Sequence, residues 1–513
     1  GALMSRGKAR GIGFAGLVSI GNEVDLSIGE ICRSTLDDPD IDSYLLFLES
    51  IRNASVLREF ALGAAARGKP VVAYKLGRSS AARELAVTHT GALAGEDDVA
   101  GAFLADCGIA RVESLEALLE ALPLARRTPI RAVGASPPRV AVVTTTAGGA
   151  IMVVDPLSIR GVEIVQPSDE TMGRLAAKGI AVTPARIVDL TVAGARYDVY
   201  KGALDVLTTA PEFDMVLAVV GSSARFHPDL AVKPIIDSAT SQKPIAAFLV
   251  PEAPDALAQL SKAGVPAFRT PEACADAIAA AFGRRAPKAA IAAPQGNSGR
   301  VLDEMEAYAL LDRLGVPRSP AIALEATTIQ APALPFGYPV AIKILSGDIP
   351  HKTEAGGVAL NVRDSDALVA TIRAMRETVQ QRTGITPDRV LVAPMTAGIG
   401  EALIGYRVDR EVGPLIMVAA GGVYTEIYRD RSLRLAPVDL TTAHAMIGEV
   451  KAFAMLKGFR GKPAGDLDAL AKAIVALSQL ALQNDPAIAE AEVNPLIVRA
   501  DGVVAVDALV KEQ

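Results

Sequence analysis

The sequence predicts an α/β protein in which two doubly wound domains with parallel sheets precede a third domain of mixed α and β layers. Three observations support this fold class. Half of the 513 residues are hydrophobic, while Trp is absent and Phe and Tyr are few, which favours layers built from aliphatic side chains. Strand-like and helix-like segments alternate through the first 285 residues. After residue 298 the pattern changes to paired strands.

Residues 1–125 are the first predicted domain. Its alternating segments imply right-handed crossovers and a parallel sheet that is covered on both faces. The predicted strands are GFAGLVSIG (13–21), SYLLFLESI (43–51) and PVVAYKLG (70–77), and the helices include VLREFALGAAARG (56–68) and LEALLEALPLA (115–125). Residues 126–137 break the pattern with Pro, Gly and basic residues and are predicted to be a linker.

Residues 138–285 repeat the alternation of strand-like and helix-like segments, which predicts a second doubly wound domain. The segments that carry this prediction are the strand RVAVVTTTAGG (139–149), the helix GAIMVVDPLSIRG (149–161) and the strands MVLAVVG (215–221), PIAAFLVP (244–251) and VPAFRT (265–270). Residues 286–298, rich in Ala and Pro, are predicted to be a second linker.

Residues 299–513 predict α and β layers that fold over a cleft. They open with the helix DEMEAYALLDRLGVP (303–317), whose leucines form an apolar stripe. The predicted strand pairs are YPVAIKILS (338–346) with GVALNV (357–362), VLVAPMT (390–396) with EALIGYRV (401–408), and AEVNPLIV (491–498) with VVAVDAL (503–509).

Composition excludes several classes of function. A formal net charge of −6 argues against a broad nucleic-acid surface. No apolar run approaches the length of a membrane span, and no secretory signal is visible. The three cysteines (Cys32, Cys107 and Cys274) lie far apart without metal-ligand spacing, which fits a reducing compartment. We therefore expect a cytoplasmic protein without a membrane or nucleic-acid partner.

The stretch VAIKILSGDIPHKTEAGGVAL (340–360) carries the first candidate chemistry. The imidazole of His351 can attack phosphorus, and the ammonium of Lys352 can hold a phosphate oxygen. Gly356 and Gly357 allow close approach of backbone N–H groups. The alternative interpretation of this stretch is a β-hairpin with an exposed polar loop.

A second group of polar residues surrounds Lys343, which ends an apolar strand and can reach a nucleotide phosphate. Glu492 and Asn494 are two residues apart and share one face of a strand. A hairpin through residues 501–502 can bring Asp507 opposite them. Carboxylate and amide oxygens in this arrangement suit Mg²⁺, although a polar hairpin face without metal is the simpler alternative.

These motifs occur together in one order and resemble a known family. Lys343, the turn 348–352, Gly356-Gly357, Gly421-Gly422, the RLAP segment 434–437 and the EVNP segment 492–495 resemble the ATP-grasp domain of nucleoside-diphosphate-forming acyl-CoA synthetases, the superfamily of succinyl-CoA synthetase. Upstream, the segment THTGALAG (88–95) is similar to the family's phosphohistidine loop, and Glu49 matches the carboxylate that holds this histidine. The resemblance implies two flavodoxin-like domains followed by an ATP-grasp domain.

The resemblance also implies an acid–thiol ligase that uses ATP with Mg²⁺, CoA and a carboxylic acid. ATP would phosphorylate His351, the phosphoryl group would pass to His89, and an acyl phosphate would then react with CoA. A carboxylate beside a nucleophilic histidine holds one ring nitrogen and stabilises the positive charge that develops. The residues implied are His89, Glu49, His351 and Glu492 in catalysis; Lys343, Lys352, Gly356, Gly357, Met395, Glu401 and Arg434 at the nucleotide; Thr146, Gly148 and Gly149 at the phosphate; and Asn494 and Asp507 at the metal.

The chain also departs from the family pattern. Thr146 stands where relatives usually have Asn, and Arg186-Ile187 stands where Asn-Pro is common. The family's CoA-binding domain has no counterpart in the 513 residues, so we expect it on a missing domain or a separate subunit. A homodimer is a further expectation.

Two alternative functions stay open beside the acid–thiol ligase. One is a regulatory or protein-acetyltransferase relative that senses acyl-CoA or nucleotide, and the other is an ATP-grasp ligase of another substrate class. The acid, small or aromatic, stays open, as does the choice between adenine and guanine nucleotides.

Overall fold

The computed structural model describes residues 1–21, 23–79, 81, 96–289, 291–296, 298–349, 352–421, 430–458, 461 and 463–513. These residues form two compact units, Gly1–Ala290 and Ile291–Gln513. The boundary between the two units falls within the predicted linker 286–298, and the three-domain division stays a prediction.

The strands of the first unit all lie in parallel sheets. They are β1 (Tyr44–Leu48), β2 (Val71–Lys75), β3 (Ala110–Val112), β4 (Arg139–Thr144), β5 (Glu163–Ile164), β6 (Ile187–Asp189), β7 (Met215–Val220), β8 (Ile245–Leu249) and β9 (Ala267–Phe268). The α-helices that accompany them are Ala2–Lys8, Ile28–Ser34, Ala54–Ala66, Asp97–Asp106, Leu115–Glu120, Leu122–Arg127, Ala147–Ile159, Asp169–Ala177, Tyr197–Leu207, Ser223–Phe226, Pro228–Ile236, Pro254–Lys262 and Pro271–Phe282.

The first sheet has the order β1-β2-β3 among the described residues, as the alternating pattern predicted. One predicted strand is wrong. Residues 13–21 are an exposed coil in which Leu17 and Val18 are 47% and 63% exposed. Gly13 and Gly16 interrupt this apolar segment, and glycine in a strand contributes backbone entropy without a side chain to pack. The segment therefore lacks the side-chain packing that a strand needs.

The second sheet has the order β5-β4-β7-β8-β9, and β6 also pairs with β4 on the side of β5. The strands that follow β4 in the chain therefore lie on both sides of it, with β5 and β6 on one side and β7 on the other, as in doubly wound folds. The carboxyl ends of β4 and β7 are the point where the strand order reverses. In such sheets the crevice at this point is the usual place for a ligand.

The two sheets of the first unit share one hydrophobic core. The helix Pro271–Phe282 packs against β3 and the helix Leu115–Glu120 on one side and against the helix Ala147–Ile159 on the other. Its frequent alanines, such as Ala275 and Ala277, are fully buried and allow this close approach on both sides. Residues from both sheets contribute to the same buried apolar cluster. Residues 1–290 therefore form a single packed body.

The second unit contains two antiparallel sheets. Their strands are β10 (Ile322–Glu325), β11 (Val340–Ile344), β12 (Val358–Val362), β13 (Arg389–Pro394), β14 (Gly400–Asp409), β15 (Gly413–Ala420), β16 (Arg431–Leu435), β17 (Ile488–Arg499), β18 (Gly502–Ala505) and β19 (Ala508–Glu512). The orders are β10-β13-β11-β12 and β16-β15-β14-β17-β18, with β19 also paired to β17. Within the described part of this unit the α-helices are Glu304–Leu314, Ser365–Thr383, Leu440–Glu449 and Leu467–Ser478.

Two of the three strand pairs predicted here are confirmed, namely β11 with β12 and β17 with β18. The predicted pair of β13 with β14 is wrong, because β13 lies between β10 and β11 while β14 belongs to the other sheet. The short connection between β13 and β14 does not form a hairpin turn. It runs along β17, where the Ile399 N–H donates to the Val498 carbonyl (2.8 Å) and a Cβ on Gly398 would come within 2.7 Å of the same oxygen.

Among the helices in the described ranges, none combines the length and the hydropathy that a membrane span requires.

Candidate active site

Lys343 is a buried lysine in an otherwise apolar strand. It lies in β11, whose five residues are all buried between β12 and β13. The side chain is only 8% exposed, and its Nζ donates to the Val506 carbonyl (2.6 Å) and to Glu304 Oε1 (2.7 Å). A buried ammonium needs such partners, because an isolated charge in the interior is strongly unfavourable. The structure therefore holds the lysine rigidly at the end of β11.

Glu304 is the partner that the sequence reasoning missed. It is the first residue of the helix Glu304–Leu314, and its side chain is completely buried. Oε1 accepts from Lys343, and Oε2 lies 2.5 Å from Lys352 Nζ. A signal was available, because residues 304, 307, 308 and 311 share the buried face of this helix. A carboxylate on an apolar face requires a cationic partner elsewhere in the fold.

Asp507 completes a cluster of two lysines and two carboxylates. Its Oδ1 lies 3.3 Å from Lys343 Nζ and 3.7 Å from Lys352 Nζ. Burial alone would raise the pKa of Asp507, but the two ammonium groups outweigh it and lower this pKa. Burial likewise acts to lower the pKa of Lys352, and Glu304 with Asp507 raises it above the ordinary lysine value. Asp507 and Lys352 are therefore both charged at neutral pH.

The paired glycines shape the turn beside this cluster. Gly356 has φ +76°, and its N–H donates to the Thr353 carbonyl (3.1 Å). The Gly357 N–H donates to the Lys352 carbonyl (2.7 Å), and a Cβ there would lie 2.9 Å from the Ile344 side chain. These N–H groups serve the turn itself in this structure. The two glycines position Lys352, and their predicted contact with nucleotide stays a prediction.

Glu492 and Asn494 share one face of β17, as their spacing predicted. Asn494 Nδ2 donates to Glu492 Oε1 (3.2 Å), and the Asn494 N–H donates to the Asp507 carbonyl (3.3 Å). Asn494 and Asp507 are thus neighbours that offer an amide and a carboxylate oxygen. These hard donors fit Mg²⁺, which takes its remaining oxygen ligands from water and phosphate. No group of three or more His, Cys, Asp or Glu suited to a metal occurs among the described residues.

Three other predicted nucleotide residues lie in different settings. Met395 follows β13 and Glu401 lies in β14, so both flank the connection between the two sheets, and both side chains are exposed. Arg434 is buried in β16, where it forms an ion pair with Glu449 and donates to the Ser432 hydroxyl (3.1 Å). Contacts with its own domain therefore hold this guanidinium, and its predicted role toward nucleotide stays a prediction.

The predicted phosphate-binding turn begins the helix Ala147–Ile159 at the carboxyl end of β4. Thr146 is the N-cap residue, and its side chain makes no capping hydrogen bond. The turn is held instead by the Thr144 hydroxyl, which donates to the Thr146 carbonyl (2.9 Å) and accepts from the Thr146 N–H (2.9 Å). Gly148 faces open space, whereas a Cβ on Gly149 would lie 2.4 Å from Val250. The helix thus presents its positive end at the sheet's crevice.

Glu49 directly follows β1 at the carboxyl end of the first sheet. Its carbonyl accepts from Lys75 Nζ (2.9 Å), which also donates to the Leu76 carbonyl (2.7 Å). Lys75 ends β2 and is only 3% exposed, so a buried lysine holds the backbone of the residue that bears the predicted carboxylate. Lys75 is not among the site residues that the sequence predicted.

The structure thus brings Lys343, Lys352 and Asp507 together with Glu304, and it pairs Glu492 with Asn494. His89 and His351 lie outside the described residues, as does the predicted contact between His89 and Glu49.

Comparisons with known proteins agree with the described architecture. Residues 1–125 match the family model of the succinyl-CoA ligase like flavodoxin domain, and residues 293–511 match that of an ATP-grasp domain. A trans-feruloyl-CoA synthase from an unknown prokaryotic organism is 30% identical over 98% of this chain and 73% of its own length. An ADP-forming acetate–CoA ligase of Archaeoglobus fulgidus is 27% identical over 99% of this chain and 75% of its own length.

The two family models and these relatives identify the chain as an ATP-grasp enzyme of the acid–thiol ligase class. More particularly, the chain belongs to the ADP-forming acyl-CoA ligases, as its motifs predicted. The names of the ADP-forming relatives specify CoA as a substrate and ADP as a product, in agreement with the predicted use of CoA and ATP. The matches give no support to a regulatory or protein-acetyltransferase relative.

Relatives from Pyrococcus furiosus divide into separate α and β subunits. Among solved structures, a Ca. Korarchaeum cryptofilum acetyl-coenzyme A synthetase in complex with coenzyme A and Mg-AMPPCP is 31% identical, covers 42% of this chain and 93% of its own, and has a TM-score of 0.36.

Proposed function

We propose that this enzyme joins a carboxylic acid to CoA and passes the γ-phosphoryl group of ATP first to His351 and then to His89. The observation that carries this proposal is the cluster of Lys343 and Lys352 with Asp507. Two ammonium groups that meet at one buried carboxylate, next to the segment that bears His351, are suited to hold the phosphates of a nucleotide.

In the first step the neutral imidazole of His351 attacks the γ-phosphorus. The bond between phosphorus and the leaving oxygen of ADP breaks as the nitrogen–phosphorus bond forms. Lys343 and Lys352 stabilise the charge on the phosphate oxygens, and Glu492 orients the histidine. Mg²⁺ held by Asn494 and Asp507 would neutralise phosphate charge at this site.

In the later steps His89 receives the phosphoryl group with one ring nitrogen held by Glu49. A substrate carboxylate then attacks phosphorus, which breaks the nitrogen–phosphorus bond and gives an acyl phosphate. The sulfur of CoA attacks the acyl carbon, and phosphate leaves. The helix start at Thr146, Gly148 and Gly149 supports the phosphoryl group through its N–H groups and its dipole.

The substrate is a small or aromatic carboxylic acid, as the names of the feruloyl and acetate relatives suggest. The CoA-binding part is supplied by a further domain or subunit, and the homodimer stays a prediction. A panel of acids that includes acetate, 4-hydroxybutyrate and ferulate, assayed by ADP release, identifies the class.

The test of the phosphoryl route uses γ-labelled ATP. The chain is expected to take up label that is labile in acid and stable in base, and His351→Ala is expected to take up none. Hydroxylamine traps an acyl phosphate as a hydroxamate. His89→Ala is expected to form no hydroxamate while His351 is still labelled. Hydroxamate formation at the unchanged rate by His89→Ala would contradict the proposed route.

A further inference from the structure

Glu304 makes the shortest contacts in the lysine–carboxylate cluster. Its two oxygens lie 2.7 Å from Lys343 Nζ and 2.5 Å from Lys352 Nζ, and its side chain is 0% exposed. Asp507 reaches the same two ammonium groups at 3.3 and 3.7 Å, and its side chain is 35% exposed. The two carboxylates therefore differ in kind. Glu304 is enclosed and close to both lysines, while Asp507 is more distant and partly exposed.

A fully buried carboxylate is an unfavourable way to stabilise a fold. Removing an ion from water is unfavourable even after the surroundings relax, and buried ion pairs can often be replaced by apolar side chains without loss of stability. The helix N-terminus at Glu304 offsets part of this cost. The remaining cost is understandable if the arrangement of the two lysines matters for something other than stability.

We propose that Glu304 is a positioning residue that fixes the spacing of the Lys343 and Lys352 ammonium groups so that together they receive the phosphates of ATP. This inference rests on the proposed function and assigns a role to a residue outside the predicted site. Because each carboxylate oxygen binds one lysine, Glu304 acts as a spacer between two charges.

Two consequences follow from this geometry. Each lysine side chain loses rotamer entropy when it is fixed, and contact with Glu304 makes this loss part of folding instead of nucleotide binding. Glu304 also keeps the lysines from depending on Asp507 as their sole counterion. Asp507 can then exchange its longer lysine contacts for others when Mg-ATP enters, while Glu304 retains its own.

The test compares three variants in single-turnover labelling with γ-labelled Mg-ATP. Glu304→Gln keeps the shape but removes the charge. Glu304→Asp keeps the charge but shortens the side chain, so that it cannot span both lysines. Glu306→Gln is the matched control, because Glu306 lies in the same first turn and contacts Arg300 and Asp303 instead of the lysines. Circular dichroism and thermal unfolding measure how much of each variant is folded.

We expect both Glu304 variants to label about 10- to 100-fold more slowly per folded molecule and to require more ATP for half-saturation. Glu306→Gln should label as fast as the wild type. Unchanged rate and half-saturation in Glu304→Gln, or full recovery in Glu304→Asp, would overturn the inference. If Glu304→Gln does not fold, the labelling rate and the half-saturating ATP concentration of Glu304→Asp decide whether the inference holds. A wild-type chain that takes up no label would instead contradict the proposed function.

Discussion

The ammonium of Lys75 lies 2.9 Å from the carbonyl oxygen of Glu49, which joins the carboxyl ends of β2 and β1. A buried charge thus fixes the backbone of the residue that is proposed to hold His89. Lys69, just before the same strand, makes similar contacts at the opposite end, where its Nζ donates to the carbonyls of Leu36 (2.7 Å) and Asp38 (2.8 Å).

Lys75→Met should therefore impair transfer through His89, whereas Lys69→Met should not. Both substitutions leave two carbonyls without a charged donor and are expected to cost about 1–3 kcal/mol of stability. Hydroxamate formation from the acyl phosphate should fall about tenfold in Lys75→Met alone, because Glu49 is no longer held. Equal losses of activity in the two variants would show that stability, not the position of Glu49, is responsible.

Gly148 and Gly149 should respond differently to alanine. A Cβ at residue 149 would lie 2.4 Å from Val250, so Gly149→Ala should destabilise the protein by about 1–3 kcal/mol. Gly148 has nothing within 4 Å of such an atom, and alanine is the better helix former. The melting temperature of Gly148→Ala should not lie below that of the wild type. Its hydroxamate yield should fall, because the methyl group obstructs the approach of phosphate. Full activity in Gly148→Ala would argue against phosphate binding at this turn.

Glu306 should contribute stability that depends on pH. Burial alone would raise its pKa, but the Asp303 N–H and the Arg300 guanidinium lower this pKa in the folded protein. A lowered pKa stabilises the fold above the ordinary glutamic acid pKa of about 4.3, and this contribution is lost as the pH falls through the folded-state value.

Glu306→Gln removes the charge but can still accept the hydrogen bond from Asp303. The melting temperature of the variant should lie below that of the wild type at pH 7, and the difference should shrink as the pH is lowered past about 4.3. A difference that stays constant from pH 7 down to pH values well below about 4.3 would mean that the charge of Glu306 does not contribute.

Asp507→Asn should raise the Mg²⁺ concentration needed for half-maximal labelling by about 10- to 100-fold, because one of two protein ligands loses its charge. Asp501→Asn is the control, since Asp501 lies in the neighbouring hairpin and pairs with Arg499 (3.0 Å). A chelator should abolish labelling in all forms. The same Mg²⁺ requirement in both variants would exclude Asp507 as a ligand.

Local sequence patterns predicted most of the fold, because aliphatic strands such as β4 and β7 are bounded by clear turn residues. Two errors arose where neighbours, not local pattern, decide the outcome. The apolar residues 13–21 are not a strand, and β13 pairs with β10 and β11 instead of with β14. A short connection between two strands predicts a hairpin only when the chain turns back, and here residues 398–399 contact β17.

The candidate site was predictable where its residues share a strand, as Glu492 and Asn494 do. Glu304 was not recognised, because 39 positions separate it from Lys343. At a helix start, a glutamate also looks like an ordinary favourable charge at the dipole. Only the packing of the helix Glu304–Leu314 shows that its carboxylate faces inward.

The packing of the helix Pro271–Phe282 also determines where the chain can be divided into two separate polypeptides. A break in the predicted linker 126–137 would strip the first sheet of the helix that covers it and expose apolar surface on both fragments. A break near residue 290 leaves each fragment with a complete interior. Separate genes for two stable polypeptides could therefore arise by fission at the second position, whereas fission at the first would yield fragments prone to aggregation.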